Sequence, residues 1–144
     1  MELYLNTVTD LLWSSLKQLM LIEEFNKFRI VGGTSLSLQL GHRESIDIDL
    51  FTDAEYDSID FSVLEAKLIE TFPYVDVSSV DIVGMGKCYF IGSNKNELVK
   101  LDLFYTDPFV FPCIIEQGVR FSSIEEIAAM KFEVIANGGG KKKF

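Results

Sequence analysis

The sequence predicts a single domain of the α/β (α+β) class, on three observations. Helix-spaced and strand-like patterns alternate through the first part of the chain, a strand-rich stretch occupies its middle, and a helix-spaced apolar stripe closes it. With 144 residues, 48% of them hydrophobic and 12% aromatic, the chain carries enough apolar material for one sizeable core, which excludes a disordered or fibrous chain.

Residues 7–24 place Leu12, Leu16, Leu19 and Met20 at helical spacing, with Thr7 or Thr9 available as a cap, and predict an amphipathic opening helix. Phe28-Arg29-Ile30-Val31 reads as a short strand that stops at Gly32-Gly33, where the chain turns tightly. Residues 34–40 read as a helix with Leu36 and Leu40 on one side, Thr34 or Ser35 as its cap and Gly41 past its end. Over residues 45–51 the alternation is strict: Ile46, Ile48 and Leu50 point one way, Asp47, Asp49 and Phe51 the other. A helix is expected over residues 61–72, capped by Asp60 or Ser62, with Ser62 and Glu65 spaced as a capping box and Pro73 closing it. Residues 75–83, 87–91 and 97–104 read as strands joined by hairpin turns at Gly84-Met85-Gly86 and over residues 92–96, and the third strand carries Asp102. The last helix opens at Ser122-Ser123-Ile124-Glu125-Glu126, puts Ile124, Ile127, Ala128, Lys131 and Ile135 on its apolar stripe, and ends near Asn137 before Gly138-Gly139-Gly140. Lys141-Lys142-Lys143-Phe144 reads as the start of another element, so residues 1–144 are expected to be the N-terminal portion of a longer protein.

Charge and composition narrow the classes of function. With 22 acidic against 13 basic residues the net charge is −9, which argues against a general nucleic-acid coat and leaves a local site open. Cys88 and Cys113 are far apart and distant from the single histidine, so neither a zinc site nor a disulfide framework is expected, and both read as reduced core thiols. Neither a membrane span nor a signal peptide is read, and the expectation is a cytoplasmic protein.

Asp47 and Asp49 are the most informative residues. Aspartate is a poor strand former, and two of them alternating inside an apolar strand cost packing and desolvation unless something compensates. Residues i and i+2 lie on one face of a strand about 7 Å apart, near enough for both carboxylates to hold one or two divalent ions. Oxygen ligands without a soft partner point to Mg²⁺ or Mn²⁺. The alternative is a solvated strand face. Asp102, on the polar phase of another alternating strand, can bring a third carboxylate; taken singly, it reads as an outward residue. Gly32-Gly33-Thr34, between a strand and a helix, offers backbone N–H groups and a positive helix end to a phosphate, with the Thr34 or Ser35 hydroxyl assisting; a plain turn is the alternative. Lys131 is a cation on an apolar stripe, aimed at a triphosphate or snorkelling to solvent. Arg43 is a further phosphate-contact candidate or a solvated loop residue. Nothing pairs His42 or the cysteines as a hydrolytic triad.

Residues 32–51, from Gly32-Gly33-Thr34-Ser35 through Gly41-His42-Arg43 to Asp47-Ile48-Asp49-Leu50-Phe51, resemble the signature of the AbiEii/AbiGii-type nucleotidyltransferase toxins of the DNA polymerase β-like superfamily. The resemblance continues through Asp102 and through Ile127-Ala128-Ala129-Met130-Lys131. It implies a mixed sheet flanked by helices, with Mg²⁺ on Asp47 and Asp49 and with Asp102 completing the set near an acceptor hydroxyl. Gly32, Gly33 and Thr34 would hold the triphosphate of an NTP and Lys131 would contact it. The implied reaction moves a nucleoside monophosphate to an acceptor with release of pyrophosphate. The implied partners are an RNA acceptor such as tRNA and a cognate antitoxin. A small-molecule or protein acceptor, and a non-catalytic binding module, are the alternatives.

Overall fold

A computed structural model of the chain describes residues 1–77 and 85–136. The opening helix, α1 (Asp10–Leu21), starts where the hydroxyl of Thr9 accepts the N–H of Leu12 at 3.1 Å, so Thr9 rather than Thr7 is its cap. Strand β1 (Arg29–Val31) runs without a loop into α2 (Gly32–Leu40), which begins two residues earlier than its pattern predicts and has no side-chain cap. Its buried side is Thr34, Ser35, Ser37 and Leu38, whereas Leu40 is exposed. A stripe drawn through Leu36 and Leu40 is thus on the wrong side, because the small hydroxyl residues let the helix sit close to the sheet. Gly41, at φ 68°, ends α2 in the left-handed conformation that its position predicts.

Strand β2 (Asp47–Thr52) starts two residues later than its pattern predicts, so Ile46 is exposed ahead of it and not on the core face with Ile48 and Leu50; from Asp47 to Phe51 the expected alternation holds. Helix α3 (Phe61–Thr71) is capped by Asp60, whose carboxylate accepts the N–H of Ser62 at 3.0 Å and its hydroxyl at 2.5 Å. Ser62 is therefore a donor to the cap and not the first member of a box with Glu65. Strands β3 (Tyr74–Val77), β4 (Gly86–Asn94) and β5 (Glu97–Tyr105) follow. The continuation of the first of these to residue 83, the turn residue Gly84, the chain end from Asn137 and the side chain of Ile135 lie outside what is described. Two strands without a sequence-based expectation come next, β6 (Ile114–Glu116) and β7 (Val119–Phe121), joined by Gln117 and Gly118 at φ 50° and 80°. Helix α4 (Ile124–Ala136) ends the described chain.

The seven strands form one mixed sheet in the order β3-β4-β5-β2-β1-β7-β6, and within it β2 pairs parallel with β5 and β1 parallel with β7. One face carries the main core, in which Ile30, Ile48, Leu50, Leu101, Leu103 and Phe121 meet Leu12, Leu16 and Leu19 of α1, Leu38 of α2 and Leu68 of α3. Each of these side chains is withdrawn from water, at roughly 1.5–3 kcal/mol apiece. The opposite face has a smaller cluster of Val31, Phe51, Cys88, Phe104 and Met130, with Phe109 against it. Phe51 and Phe104 pack edge-on, ring centroids 5.9 Å apart. The thiols of Cys88 and Cys113 are both unbridged.

Helix α4 lies over this second face with Ser123, Glu126, Ile127 and Met130 buried, while Ile124 and Ala128 are exposed. The buried stripe is therefore one residue out of phase with the predicted one. The difference follows from Glu126, a charged residue drawn inward by specific partners. Its backbone N–H donates to the Ser123 hydroxyl at 3.0 Å, and its carboxylate accepts the N–H groups of Val110 and Phe111 at 3.0 and 2.8 Å. The Glu126 carboxylate thereby ties the start of α4 to two backbone donors of the 106–113 loop.

Candidate active site

The pairing of β2 with β5 sets the site. Asp49 stands directly opposite Asp102 and Asp47 opposite Lys100, so all four side chains rise on the face that also bears Phe51 and Phe104. On its other side Asp49 adjoins Val31, and Asp102 adjoins Cys88. Both neighbours are buried, so the two carboxylates sit between apolar walls. Asp102 is itself buried, and its Oδ1 has no hydrogen-bond partner. Its Oδ2 lies 3.8 Å from the Lys100 ammonium. Burial pushes the carboxyl of Asp49 up to about 7; a hydrogen bond and the negative charge of Asp102 add to this, Asp47 adds a little more, and Lys100 opposes it.

Asp47 lies one step along the same face, and no group of three or more His, Cys, Asp or Glu side chains is gathered closely enough to hold a metal ion among the described residues. The structure thus brings two of the three predicted carboxylates side by side and leaves the third next to them. Lys100 is a member of this face that the sequence reading misses, although its place two residues from Asp102, on the same phase of the strand, is a signal for it.

The start of α2 abuts the pair. Gly32 has φ +72°, and a Cβ placed on it would lie 2.8 Å from Asp49 Oδ2. The residue is therefore held to glycine twice over, by conformation and by space. Gly32→Ala is expected to lower the unfolding free energy by about 1–2 kcal/mol or more, read by thermal unfolding; an unchanged midpoint refutes this account of Gly32. Gly33 is next to the Arg43 guanidinium in the same way. A cavity of about 180 Å³ opens here, walled by Gly32, Gly33, Arg43, Asp49, Met130 and Lys131 among others. Five predicted site residues from four parts of the chain meet in it.

The remaining two predicted residues are used inside the protein. The Thr34 hydroxyl bonds the backbone oxygen of Asp47 and lies 2.5 Å from the Ser45 hydroxyl. The Ser35 hydroxyl donates to the Ser122 carbonyl at 3.2 Å and accepts from Gln39 at 3.0 Å. Both tie α2 to its neighbours. Lys131 is exposed at the edge of the buried stripe and not on it, but it reaches the cavity wall.

The model of the family described as "Nucleotidyl transferase AbiEii toxin, Type IV TA system" matches residues 14–143. No curated protein matches the chain. Among solved structures, a Helicobacter pylori protein regarded as a nucleotidyltransferase superposes with a TM-score of 0.61 at 20% identity, over 91% of this chain and 59% of that one. JHP933 from Helicobacter pylori gives a TM-score of 0.60 at 18% identity, over 92% and 57%. The nucleotidyltransferase toxin MenT4 from Mycobacterium tuberculosis gives 0.45 at 16% identity, over 81% and 43%. The first two share the fold, and this chain spans less than two thirds of the length of either.

Proposed function

We propose a function from one premise: the chain belongs to the AbiEii nucleotidyl transferase toxin family. In this reading the carboxylate face and its cavity move a nucleoside monophosphate from an NTP to an acceptor hydroxyl. The observation that carries it is the juxtaposition of Asp49 and Asp102 across β2 and β5, with the glycine-led start of α2 against Asp49. A carboxylate pair with one raised titration and one buried oxygen lacking a partner fits a divalent cation, and an all-oxygen donor set fits Mg²⁺ or Mn²⁺. Asp47, Asp49 and Asp102 would hold it. When bound, such an ion supplies charge neutralisation at the reacting phosphate.

The chain's own groups do the rest. The backbone N–H groups of Gly32, Gly33, Thr34 and Ser35 lie in the first turn of α2, where no side chain caps them and the helix end is positive, so they suit a polyphosphate. Arg43 and Lys131, on the cavity wall, balance its charge. The acceptor oxygen attacks the α-phosphorus, the bond to the β-phosphate oxygen breaks, pyrophosphate leaves, and the hydroxyl proton passes to a carboxylate of the pair, with Asp102 on the acceptor side. Family membership supports a cognate antitoxin as partner. An RNA acceptor, tRNA included, is favoured over a small molecule or protein on the family resemblance alone, because the net charge of −9 does not help it.

Thermal shift with each NTP, with and without Mg²⁺, on the wild type and on Asp47→Asn/Asp49→Asn tests the reading. Ligand at about 100 times its dissociation constant adds roughly 2.7 kcal/mol to apparent stability. The wild type is expected to shift with at least one NTP only when metal is present, and the double variant not at all. Silence of the wild type with every NTP, or an equal shift in the variant, overturns it. A steep loss of acceptor binding on raising salt then separates RNA, with its several phosphate contacts, from a small-molecule or protein acceptor.

A further inference from the structure

We propose that Lys100 is the resident counter-ion of the carboxylate face, occupying the charge position that a divalent cation takes over and so setting the affinity with which the site loads. The inference rests on the reading above, in which that face binds metal. Three facts carry it. Lys100 stands opposite Asp47 in the β2–β5 register, and its ammonium is 3.8 Å from Asp102 Oδ2, so it is adjacent to two of the three acids that would ligate the ion. The other neighbours in register supply no cation: Val31 flanks Asp49, Cys88 flanks Asp102, and Phe90 flanks Lys100 itself. Arg43 and Lys131 lie on the wall of the cavity at the start of α2, which Asp49 also lines and Asp102 and Lys100 do not.

Without metal, then, one monovalent charge stands against three acids on one strand face, two of them flanked by Val31 and Cys88. A lysine ammonium on a flexible four-carbon stem suits a position that must be vacated, because it swings away without disturbing the strand. A divalent ion cannot share Asp102 with it at this distance without strong repulsion. Loading is therefore an exchange, in which Asp102 gives up the ammonium as it gains the ion.

Titration calorimetry of the full chain with Mn²⁺ or Mg²⁺ alone, without nucleotide, reads this directly. Lys100→Met and Lys100→Gln are expected to bind the ion about three- to tenfold more tightly than the wild type, from the loss of a competing ion pair and of its repulsion on the metal. Lys100→Arg, which keeps the charge, is expected to stay within about twofold of the wild type. In chelator the neutral variants unfold at lower temperature than the wild type, and saturating metal raises their midpoint further than it raises the wild type's. The inference is overturned if the folded neutral variants bind metal equally or more weakly. A wild type that binds no metal overturns both this inference and the metal-dependent reading, whereas metal binding that is insensitive to Lys100 overturns this one alone.

Discussion

Asp49→Asn is expected to slow nucleotidyl transfer severely and to make the metal-free protein more stable. The two effects share one cause. Asp49 is half-buried beside the buried Asp102, with a second acid on its own strand face and one half-exposed lysine as opposition, so its ionised form is held where charge is costly. An amide of the same shape removes that charge and offers an N–H to the partnerless Oδ1 of Asp102. At neutral pH and above the gain is of order 1–3 kcal/mol, visible as a raised midpoint in chelator. The same replacement removes a ligand from the proposed ion. Losing several kcal/mol of transition-state stabilisation corresponds to a fall in rate of about 10²- to 10⁴-fold. Asp102→Asn is expected to lower the rate alike. A variant that loses activity through general damage loses stability too, so the opposite signs are the diagnostic result. A destabilised Asp49→Asn refutes this account of the pair.

Metal-free protein is expected to lose stability as the pH rises from about 4 to beyond 7. Asp49 titrates near 7 when folded and near 3.8 otherwise, so between those values the native chain holds a proton that the unfolded chain has released. The stabilisation is complete below the lower value and is lost as the pH climbs through the upper one, in total of order a few kcal/mol. Divalent metal requires the ionised carboxylates and so should reverse the trend, stabilising the chain most at the alkaline end. Unfolding midpoints in chelator and in Mg²⁺, taken from about pH 5 to pH 8, test both halves. Asp49→Asn removes the slope. A wild-type midpoint in chelator that does not fall across this range rules out the carboxyl as the controlling group.

Much of this site is legible in the amino-acid sequence. Two aspartates at alternate positions in an apolar strand have few explanations, and the glycine pair marks the start of α2 that abuts Asp49. What local pattern does not contain is who stands beside whom. The register that sets Asp102 against Asp49 joins strands some fifty residues apart, and periodicity has no term for such a pairing. Lys131 falls one residue away from its expected place because a stripe traced through apolar residues alone ignores Glu126, whose two backbone donors are what turn α4. Ser123 and Glu126, three apart at the start of the helix, do match a capping box, but the carboxylate is diverted to the 106–113 loop. The β6–β7 hairpin escapes a pattern reading because each strand has three residues. Its one signal is Gln117-Gly118 between two apolar-rich triplets, a pair whose positive φ angles close a tight turn.

Joining β2 to β5 in parallel also has a consequence in time. Parallel neighbours require a long crossover, and here the intervening chain contains α3, β3 and β4. Closing so large a loop comes before the contacts that reward it, so this pairing is expected among the slow steps of folding. A nascent chain emerging from the ribosome holds Asp47 and Asp49 well before it holds Asp102. The carboxylate pair therefore does not exist until β5 has been synthesised and docked, and the proposed site is incomplete in a partly made polypeptide however well its first half has folded.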